Sequence, residues 1–220
     1  MEGDPERQRF ELSSDRDIRN PLFARIYARF EEPGAETDEN RARLLRDLAG
    51  RVLEVGCGGG VNFARYPPTV TEVIAVEPEP YLRARAQRAA ADAPVPVRVV
   101  AGQADDLPVD DESVDEAVCS LVLCSVPDQA SALAELRRVL KPGGRLHFYE
   151  HVVAHNRAGR AFQRAADATV WPRVMGNCHL ARDTQTAIER AGFRFERCER
   201  LTSPEVRWPH PHILGRAVRA

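Results

Sequence analysis

A glycine-rich loop is the first feature of the sequence whose residue types and spacing could support chemistry. Gly56, Gly58 and Gly60 alternate with Cys57 and a further glycine, directly after the apolar run "RVLEV", which is typical of a buried strand. Glycines at such a place let the backbone approach a ligand and adopt positive φ angles. The pattern predicts a strand, a loop that holds a nucleotide-like ligand, and a helix from about Val61 whose amide N–H groups face that ligand.

Two classes of ligand fit this loop. Dinucleotides bind to G-x-G-x-x-G, whose third glycine would stand where this sequence has Val61. The pattern here is G-x-G-x-G with Glu54 two residues before it, which is the form that class I S-adenosylmethionine (SAM) enzymes favour. SAM has no pyrophosphate, and the ammonium group of its amino-acid tail suits an acidic strand end. The spacing therefore favours SAM over a nicotinamide dinucleotide.

Residues at the ends of the next two predicted strands extend the ligand site. Glu77 ends the second apolar run, where an acidic side chain accepts hydrogen bonds from both ribose hydroxyls. NAD proteins share this feature, so Glu77 does not discriminate between the two ligands. Gln103 and Ala104 begin the turn after the third strand, where SAM enzymes seat adenine. We expect these residues to complete the nucleoside site.

Alternating strand and helix patterns must position these residues. Amphipathic patterns follow the second and fourth apolar runs, and further helical patterns follow the fifth. The strand-like runs are "RVLEV", "VTEVIAVEP", "PVRVVAG", "VDEAVCSLVLC", "GRLHFYEHV", "FRFERCERL" and "HILGRAVRA". The alternation predicts an α/β fold with a parallel sheet and helices on both faces. We divide the chain into an N-terminal tail and helical cap over 1–49 and one domain over 50–220.

Composition limits which binding partners and which cellular compartment are expected for this protein. The chain has 220 residues, a net charge of −2 and 43% apolar residues, so neither a nucleic acid nor an acidic membrane is expected as a partner. No run of roughly 18 apolar residues indicates a membrane anchor. The five cysteines form an odd set that fits a reducing cytoplasm better than a disulfide framework. Their spacing to one another and to histidine indicates no zinc site, and we expect no metal.

Taken together, these motifs resemble the class I SAM-dependent methyltransferases of the small-molecule type 11 group. The resemblance spans roughly residues 50–153, and it implies SAM as the cofactor. The implied fold is a Rossmann-like, seven-stranded sheet whose last, antiparallel strand comes from the C-terminal hairpin. The resemblance also adds Pro78, Ser120 and Leu121 to the expected cofactor-binding residues. The segments that carry it are "VLEVGCGGG", "VIAVEP", "GQADDLP", "SVDEAVCSLVLCSV" and "VLKPGGRLHFYEHV".

A narrower resemblance extends almost to the C-terminus. The segments "VNFARYP", "SLVLCSVPDQ", "FYEHV", "GNCHLARDT" and "HPHILGRAV" are similar to those of the mammalian microsomal alkyl thiol methyltransferases and their bacterial relatives. The mammalian proteins have an apolar N-terminal membrane anchor, whereas this sequence begins with a charged stretch, so the membrane location does not carry over. The resemblance implies a small-molecule acceptor and favours a thiol. Transfer to oxygen, nitrogen or carbon, a SAM-binding protein without turnover and a nicotinamide oxidoreductase are the alternatives, and the oligomeric state stays open.

Methyl transfer requires alignment more than covalent catalysis, because the leaving group is a neutral thioether. The acceptor is expected over the carboxyl ends of the strands. His151 ends the fifth predicted strand, and its ordinary pKa near neutrality makes it the candidate for orienting or deprotonating the acceptor. Cys178 is interpreted as structural, because the sequence supplies no partner for thiol exchange. The walls of the acceptor pocket are expected to come from Phe23, Tyr27, Phe30, Cys124, Ser125 and His179.

Overall fold

Seven strands form one sheet, as the sequence predicts. The computed structural model describes residues 24–25, 27–28, 35–169, 171–201 and 211–220. The spatial order is β3-β2-β1-β4-β5-β7-β6, and β7 runs antiparallel to both of its neighbours while the other pairs are parallel. The α/β prediction and the antiparallel last strand are both confirmed. The strands are β1 Gly50–Val55, β2 Val70–Val76, β3 Val97–Val100, β4 Val114–Ser120, β5 Leu140–His151, β6 Phe193–Leu201 and β7 His212–Arg219.

Helices cover both faces of this sheet. Several of them begin at a residue whose side chain accepts a backbone N–H of the first turn: Glu79 does so for α2, Asp128 for α3, Asn156 for α4 and Asp183 for α6. Residues 24, 25, 27 and 28 are also helical. The helices are α1 Ala35–Leu45, α2 Pro80–Ala90, α3 Gln129–Val139, α4 Arg157–Asp167, α5 Trp171–Val174 and α6 Thr184–Arg190.

The core lies in two layers because successive strand residues point to opposite faces. On β1, Leu53 faces a cluster that includes Leu133 of α3, whereas Val52 faces a cluster that includes Leu45 of α1. The chain runs outward from β1 to β3 on one side and from β4 through β5 to the edge strand β6 on the other, and β7 then returns between β5 and β6. The direction of winding therefore changes between β1 and β4. Ligands of open α/β sheets bind at such a switch point, beyond the carboxyl ends of the strands.

The helix expected after the glycine-rich loop is not formed, and that prediction was wrong. Only a 3-10 turn, Phe63–Arg65, follows the loop. Tyr66 is extended, with φ −64° and ψ 130°, because the residue before a proline is disfavoured in the helical region. The two prolines at 67–68 therefore end the helical pattern of the sequence before a full α-helix can form.

The described helices also bear on the question of a membrane anchor. Within the described ranges, no helix combines the length and the apolar character that crossing a bilayer requires.

Candidate active site

The glycine-rich loop follows β1 at the switch point, and its close packing explains its composition. Gly56 and Gly60 have φ angles of 65° and 85°, which disfavour any residue with a side chain. A Cβ atom would lie 2.7 Å from Val122 at the first position and 2.7 Å from Phe63 at the second. Gly58, between them, has a φ angle of 56°. The loop thus lies against the turn that follows β4.

Glu77 links this loop to β2. Its side chain is buried directly after the strand, and its carboxylate accepts the backbone N–H of Gly58 at 2.9 Å and that of Glu79 at 2.9 Å. One oxygen therefore contacts the glycine-rich loop, and the other contacts the start of α2 next to Pro78. The sequence placed Glu77 at the ribose, and the structure brings it against the loop that would hold the rest of the cofactor.

Glu54 is also buried, and it organises the far side of the loop. Asn62 donates to its carboxylate at 2.6 Å, and the Tyr66 hydroxyl donates at 2.8 Å. Burial and then the charge of Glu54 raise the pKa of Tyr66 well above its usual value, so the phenol stays protonated as a donor. Asn62 and Tyr66 lie within the "VNFARYP" segment that follows the glycines, but neither was predicted as a site residue from the sequence.

Arg41 reaches the same place from α1, and sequence reasoning missed it. Its Nη1 atom donates to the Asn62 side chain at 3.1 Å and to the Ser120 hydroxyl at 3.2 Å, and the residue is only 8% exposed. The sequence contains no signal for this role, because Arg41 is one of many arginines and is distant along the chain from the loop. A buried guanidinium thus lies between the glycine-rich loop and the end of β4.

The turn after β3 carries Gln103 and Ala104 toward the end of β2. The Gln103 carbonyl accepts the N–H of Asp106 at 3.2 Å, and Ala104 packs partly buried against the core. A Cβ atom on Gly102 would lie 3.0 Å from Val76, the last residue of β2. The turn predicted to seat adenine is therefore adjacent to the strand end that precedes Glu77.

The fourth strand ends earlier than the apolar run in the sequence indicates. We predicted strand through Cys124, whereas β4 ends at Ser120. Leu121 then adopts a φ angle of 61°, which is rare for a residue with a side chain, and its N–H donates to the Tyr149 carbonyl at 2.7 Å. The run stays apolar because the turn is buried, so hydrophobicity alone could not locate the strand end.

Glu150 holds this turn, and sequence reasoning missed its role. The side chain is fully buried near the end of β5. Its carboxylate accepts the N–H groups of Val122 and Leu123 at 2.9 Å each and that of Cys124 at 3.1 Å. Burial raises the pKa of Glu150, and these three donors oppose that rise. The turn that contains two predicted pocket residues is thus shaped by one carboxylate.

A segment from the C-terminal half completes this side of the site. The His179 N–H donates to the Cys124 carbonyl at 2.9 Å, and the Asn177 side chain donates to the Ser125 carbonyl at 2.7 Å. Arg182 donates to the carbonyl of Leu123 at 2.8 Å. The structure therefore brings Cys124, Ser125 and His179 together, although more than 50 residues of chain separate them.

Cys124, His151 and Cys178 form a compact group that we call the Cys–His cluster. The His151 Nδ1 atom lies 3.5 Å from the Cys124 sulfur and 3.6 Å from the Cys178 sulfur, and the two sulfurs are 3.8 Å apart. The pKa of Cys178 is lowered to about 4, because its sulfur shares a hydrogen bond with Cys124 and His151 lies beside it. The same hydrogen bond, together with burial, raises the pKa of Cys124 well above its usual value.

Spacing along the chain gave no indication of this cluster, because its members are 27 residues apart. Cys178 had no predicted partner in the sequence, whereas the structure places Cys124 beside it. The expectation of no metal rested on the same spacing. The His151 ring is further positioned by His212, with ring centroids 4.4 Å apart, and His212 stacks on Tyr149 at 5.0 Å.

The N-terminal helical segment packs on α2. Tyr27 is half-buried and packs with Ala24 and Ala28 against Leu82 of α2. It is therefore near the start of the helix that follows Glu77. Phe23 and Phe30, the other two predicted pocket residues of this segment, lie outside the described residues.

The substitution Glu150→Gln tests the role of this carboxylate. An amide group would direct N–H donors at backbone N–H groups, so we expect the free energy of unfolding to fall by about 1–3 kcal/mol. Chemical denaturation measures this change. Glu189→Gln, on the exposed end of α6, is the matched control and should change stability by less than about 0.5 kcal/mol. A Glu150→Gln protein as stable as the wild type would contradict the structural role.

Comparison with known proteins agrees with this architecture. Residues 53–148 match the methyltransferase domain family. Two solved structures share the fold. One is an S-adenosylmethionine-dependent methyltransferase from Mesorhizobium loti, with a TM-score of 0.63 and 20% identity over 84% of this chain and 99% of that one. The other is a geranyl diphosphate C-methyltransferase from Streptomyces coelicolor bound to S-adenosyl-L-homocysteine, with a TM-score of 0.65 and 18% identity over 83% of this chain and 79% of that one.

Curated relatives are more similar in sequence and match far more than the domain. Thiol S-methyltransferase TMT1B of Rattus norvegicus is 36% identical over 210 residues, which cover 90% of this chain and 83% of the relative. Thiol S-methyltransferase TMT1A of Homo sapiens is 37% identical over 185 residues, which cover 80% of this chain and 75% of the relative. These matches agree with the seven-stranded sheet and with the glycine-rich loop at its switch point. They show that the chain is a SAM-dependent methyltransferase that belongs to the thiol S-methyltransferase family.

Proposed function

We propose that this methyltransferase transfers the methyl group of SAM to the sulfur of a small thiol. The observation that carries the proposal is the extent of the similarity to the thiol S-methyltransferases, which covers 90% of this chain and therefore continues well beyond residues 53–148. A shared domain alone would support only methyl transfer, because one fold serves many acceptors. Because the similarity continues into the C-terminal segments beside which the acceptor is proposed to bind, it supports a thiol acceptor for this chain as well.

The reaction is an in-line displacement at the sulfonium methyl group. A lone pair of the acceptor thiolate forms the new S–C bond, and the old C–S bond breaks with its electron pair going to the sulfur of SAM. The products are a methyl thioether and neutral S-adenosylhomocysteine, and the thiol proton passes to solvent. Positive charge is lost at the reacting centre, so the protein contributes mainly by aligning the two sulfurs and excluding water.

The cofactor is proposed to bind over the ends of β1, β2 and β4. The glycine-rich loop would hold the amino-acid tail, Glu77 the ribose and the turn after β3 the adenine. This arrangement is supported by the contact between the loop and Glu77 and by Arg41, which joins Asn62, just after the loop, to Ser120 at the end of β4. The proposed cofactor-binding residues are Glu54, Gly56, Cys57, Gly58, Gly60, Glu77, Pro78, Gln103, Ala104, Ser120 and Leu121.

Arg41 is proposed to bind the carboxylate of the SAM tail. A guanidinium has five N–H donors, and the bonds to Asn62 and Ser120 both come from its Nη1 atom. Both of these partners are neutral side chains next to the loop, and a buried guanidinium is strongly stabilised by an anion at hydrogen-bonding distance.

Replacement of Arg41 by alanine should weaken SAM binding by about tenfold to a hundredfold, the worth of a hydrogen bond to a charged group. Isothermal titration with SAM measures the dissociation constant. Arg46→Ala is the control. Arg46 is exposed directly after α1, so this variant should bind SAM normally. If Arg41→Ala folds and binds SAM as tightly as the wild type, Arg41 does not contact the tail.

The acceptor is proposed to bind beside the ends of β4 and β5. His151 is the proposed catalytic residue, and it would orient the acceptor sulfur toward the methyl group. Its ring is held by His212, and its carbonyl accepts the Thr184 hydroxyl at 3.3 Å, so its position is well defined. Cys124, Ser125 and His179 would line this side of the pocket, and Tyr27, Phe23 and Phe30 of the N-terminal segment would close it.

His151→Ala should lower the rate of methyl transfer by about tenfold or more while leaving SAM affinity within about twofold of the wild type. The reason is that the histidine lies beyond the residues proposed to hold the cofactor. Steady-state kinetics and SAM titration separate the two effects. His155→Ala is the matched control, because His155 is exposed in the loop after β5. An unchanged turnover in His151→Ala would exclude the proposed role.

The acceptor class is tested by incubating the protein with methyl-labelled SAM and a matched panel of small thiols, phenols, amines and quinols. We expect labelled methyl thioethers from the thiols, with less transfer to the oxygen and nitrogen analogues of the same carbon skeleton. Product identification by mass spectrometry distinguishes the acceptor atom. Transfer confined to oxygen, nitrogen or carbon would contradict the proposal.

The cytoplasm is the proposed compartment. All five cysteines are free in the structure, which is typical of a reducing environment. Subcellular fractionation tests this, and recovery of the protein only from an oxidising compartment would contradict it.

A further inference from the structure

The Cys–His cluster has the dimensions of a metal site. A tetrahedral zinc ion with Zn–S bonds of about 2.3 Å and a Zn–N bond of about 2.0 Å separates two sulfur ligands by about 3.8 Å. It separates a sulfur from a nitrogen ligand by about 3.5 Å. The cluster shows 3.8 Å between its sulfurs and 3.5 and 3.6 Å from each sulfur to the His151 Nδ1 atom. All three edges therefore match one face of a coordination tetrahedron, and the three donor atoms form a compact group.

The surroundings of the cluster also suit a metal with thiolate ligands. Cys124 and Cys178 are 1% and 6% exposed, and they pack among apolar side chains that include Leu180 and Trp171. The His151 ring lies in tilted contact with the ring of His212, which in turn stacks on Tyr149. The ligands are therefore held on β5 and on two hydrogen-bonded segments before any ion arrives.

The donor set selects the kind of ion. Two thiolates and one imidazole are ligands for zinc and for other soft or borderline cations, whereas magnesium and calcium prefer oxygen. Three protein ligands are one fewer than a structural zinc site uses, and catalytic zinc sites keep the fourth position for water or substrate. The same Cys₂His donor set holds the catalytic zinc of alcohol dehydrogenase.

The cluster adjoins the proposed cofactor site. Cys124 lies in the turn that Glu150 holds, and Val122 of that turn is the residue against which Gly56 packs. The turn after β4 therefore carries one of the sulfur ligands and also contacts the glycine-rich loop. Because Cys124 follows β4 and His151 ends β5, the cluster lies at the ends of these two strands, beside which the acceptor is proposed to bind.

We propose that Cys124, His151 and Cys178 bind one zinc ion and that the acceptor thiol occupies its fourth coordination position as a thiolate. The inference rests on the proposed function for the identity of the acceptor, and on the cluster alone for the ion. Coordination displaces the thiol proton to solvent and holds the sulfur lone pair toward the methyl group. The thiolate then forms the new S–C bond, and the C–S bond of SAM breaks toward its own sulfur. His151 acts in this scheme by holding the ion.

Metal content and spectroscopy of the full-length protein test the site directly. The protein should be produced with zinc, without a polyhistidine tag, and kept reduced with a phosphine. We expect about one zinc per chain by elemental analysis. Cobalt substitution should produce the thiolate-to-metal charge-transfer band and the intense visible bands of a tetrahedral site. Adding 2-mercaptoethanol should shift the visible bands, whereas ethanol at the same concentration should not.

Matched variants locate the ion. Cys124→Ser and Cys178→Ser should each reduce the zinc content to a small fraction and abolish the charge-transfer band. Cys198→Ser, on β6 and outside the cluster, should retain both. Circular dichroism checks that each variant is folded. If the cluster variants do not fold, the cobalt spectrum of the wild type still decides, because only thiolate coordination produces that band.

The outcomes separate this inference from the proposed function. Zinc-free protein that shows no charge-transfer band with cobalt but still methylates thiols would overturn the metal site and leave thiol methylation intact. A second outcome is a protein that binds one zinc, gives the expected cobalt spectrum and methylates only hydroxyls. That outcome would support the metal site, but it would overturn the thiol as acceptor and its coordination to the metal. Equal zinc content in the wild type and in both folded cluster variants would overturn the site.

Discussion

Three buried glutamates at the ends of β1, β2 and β5 hold the loops on which the site depends. Glu54, Glu77 and Glu150 are each at most 5% exposed, and each accepts at least two hydrogen bonds. A buried carboxylate without partners is very costly, whereas hydrogen bonds to a charged group are worth roughly 1.5–3 kcal/mol each. The chain around each glutamate therefore has one favourable arrangement, which brings its N–H and O–H donors to the carboxylate.

The partners of these glutamates explain how the cofactor half and the acceptor half of the site are joined. Glu77 fixes the glycine-rich loop against β2, and Glu150 fixes the turn after β4 against β5. The two fixed segments meet where Gly56 packs on Val122, which leaves no room for a side chain at the glycine. A displacement of either segment would be transmitted to the other through this contact. The direction of sheet winding also changes here, which is where ligands of open α/β sheets bind.

The acceptor half depends on residues that the C-terminal part of the chain supplies. The segment around Cys178 is bound to the turn after β4 through three carbonyl groups, and this brings a second cysteine to the first. The antiparallel strand β7 places His212 over His151. The methyltransferase domain match over 53–148 thus contains the glycine-rich loop, whereas the arrangement of the Cys–His cluster requires the chain beyond it.

Local patterns in the sequence were sufficient for most of the fold. Alternating apolar runs and amphipathic stretches predicted all seven strands, and the glycine spacing distinguished SAM from a dinucleotide. Local patterns failed where two local preferences competed. The helix after the glycine-rich loop did not form, because Tyr66 precedes a proline, and β4 ended at Ser120, because the apolar residues that follow are buried in a turn.

The sequence by itself determined the methyl donor. The residues that indicate SAM follow successive strands along the chain, and these strands are also neighbours in the sheet. Only the tertiary structure decided which side chains meet on the acceptor side. Arg41, Glu150 and the Cys–His cluster act through contacts between residues 21 or more positions apart. No local periodicity reports such contacts, because they depend on how strands and loops that are distant along the chain pack together.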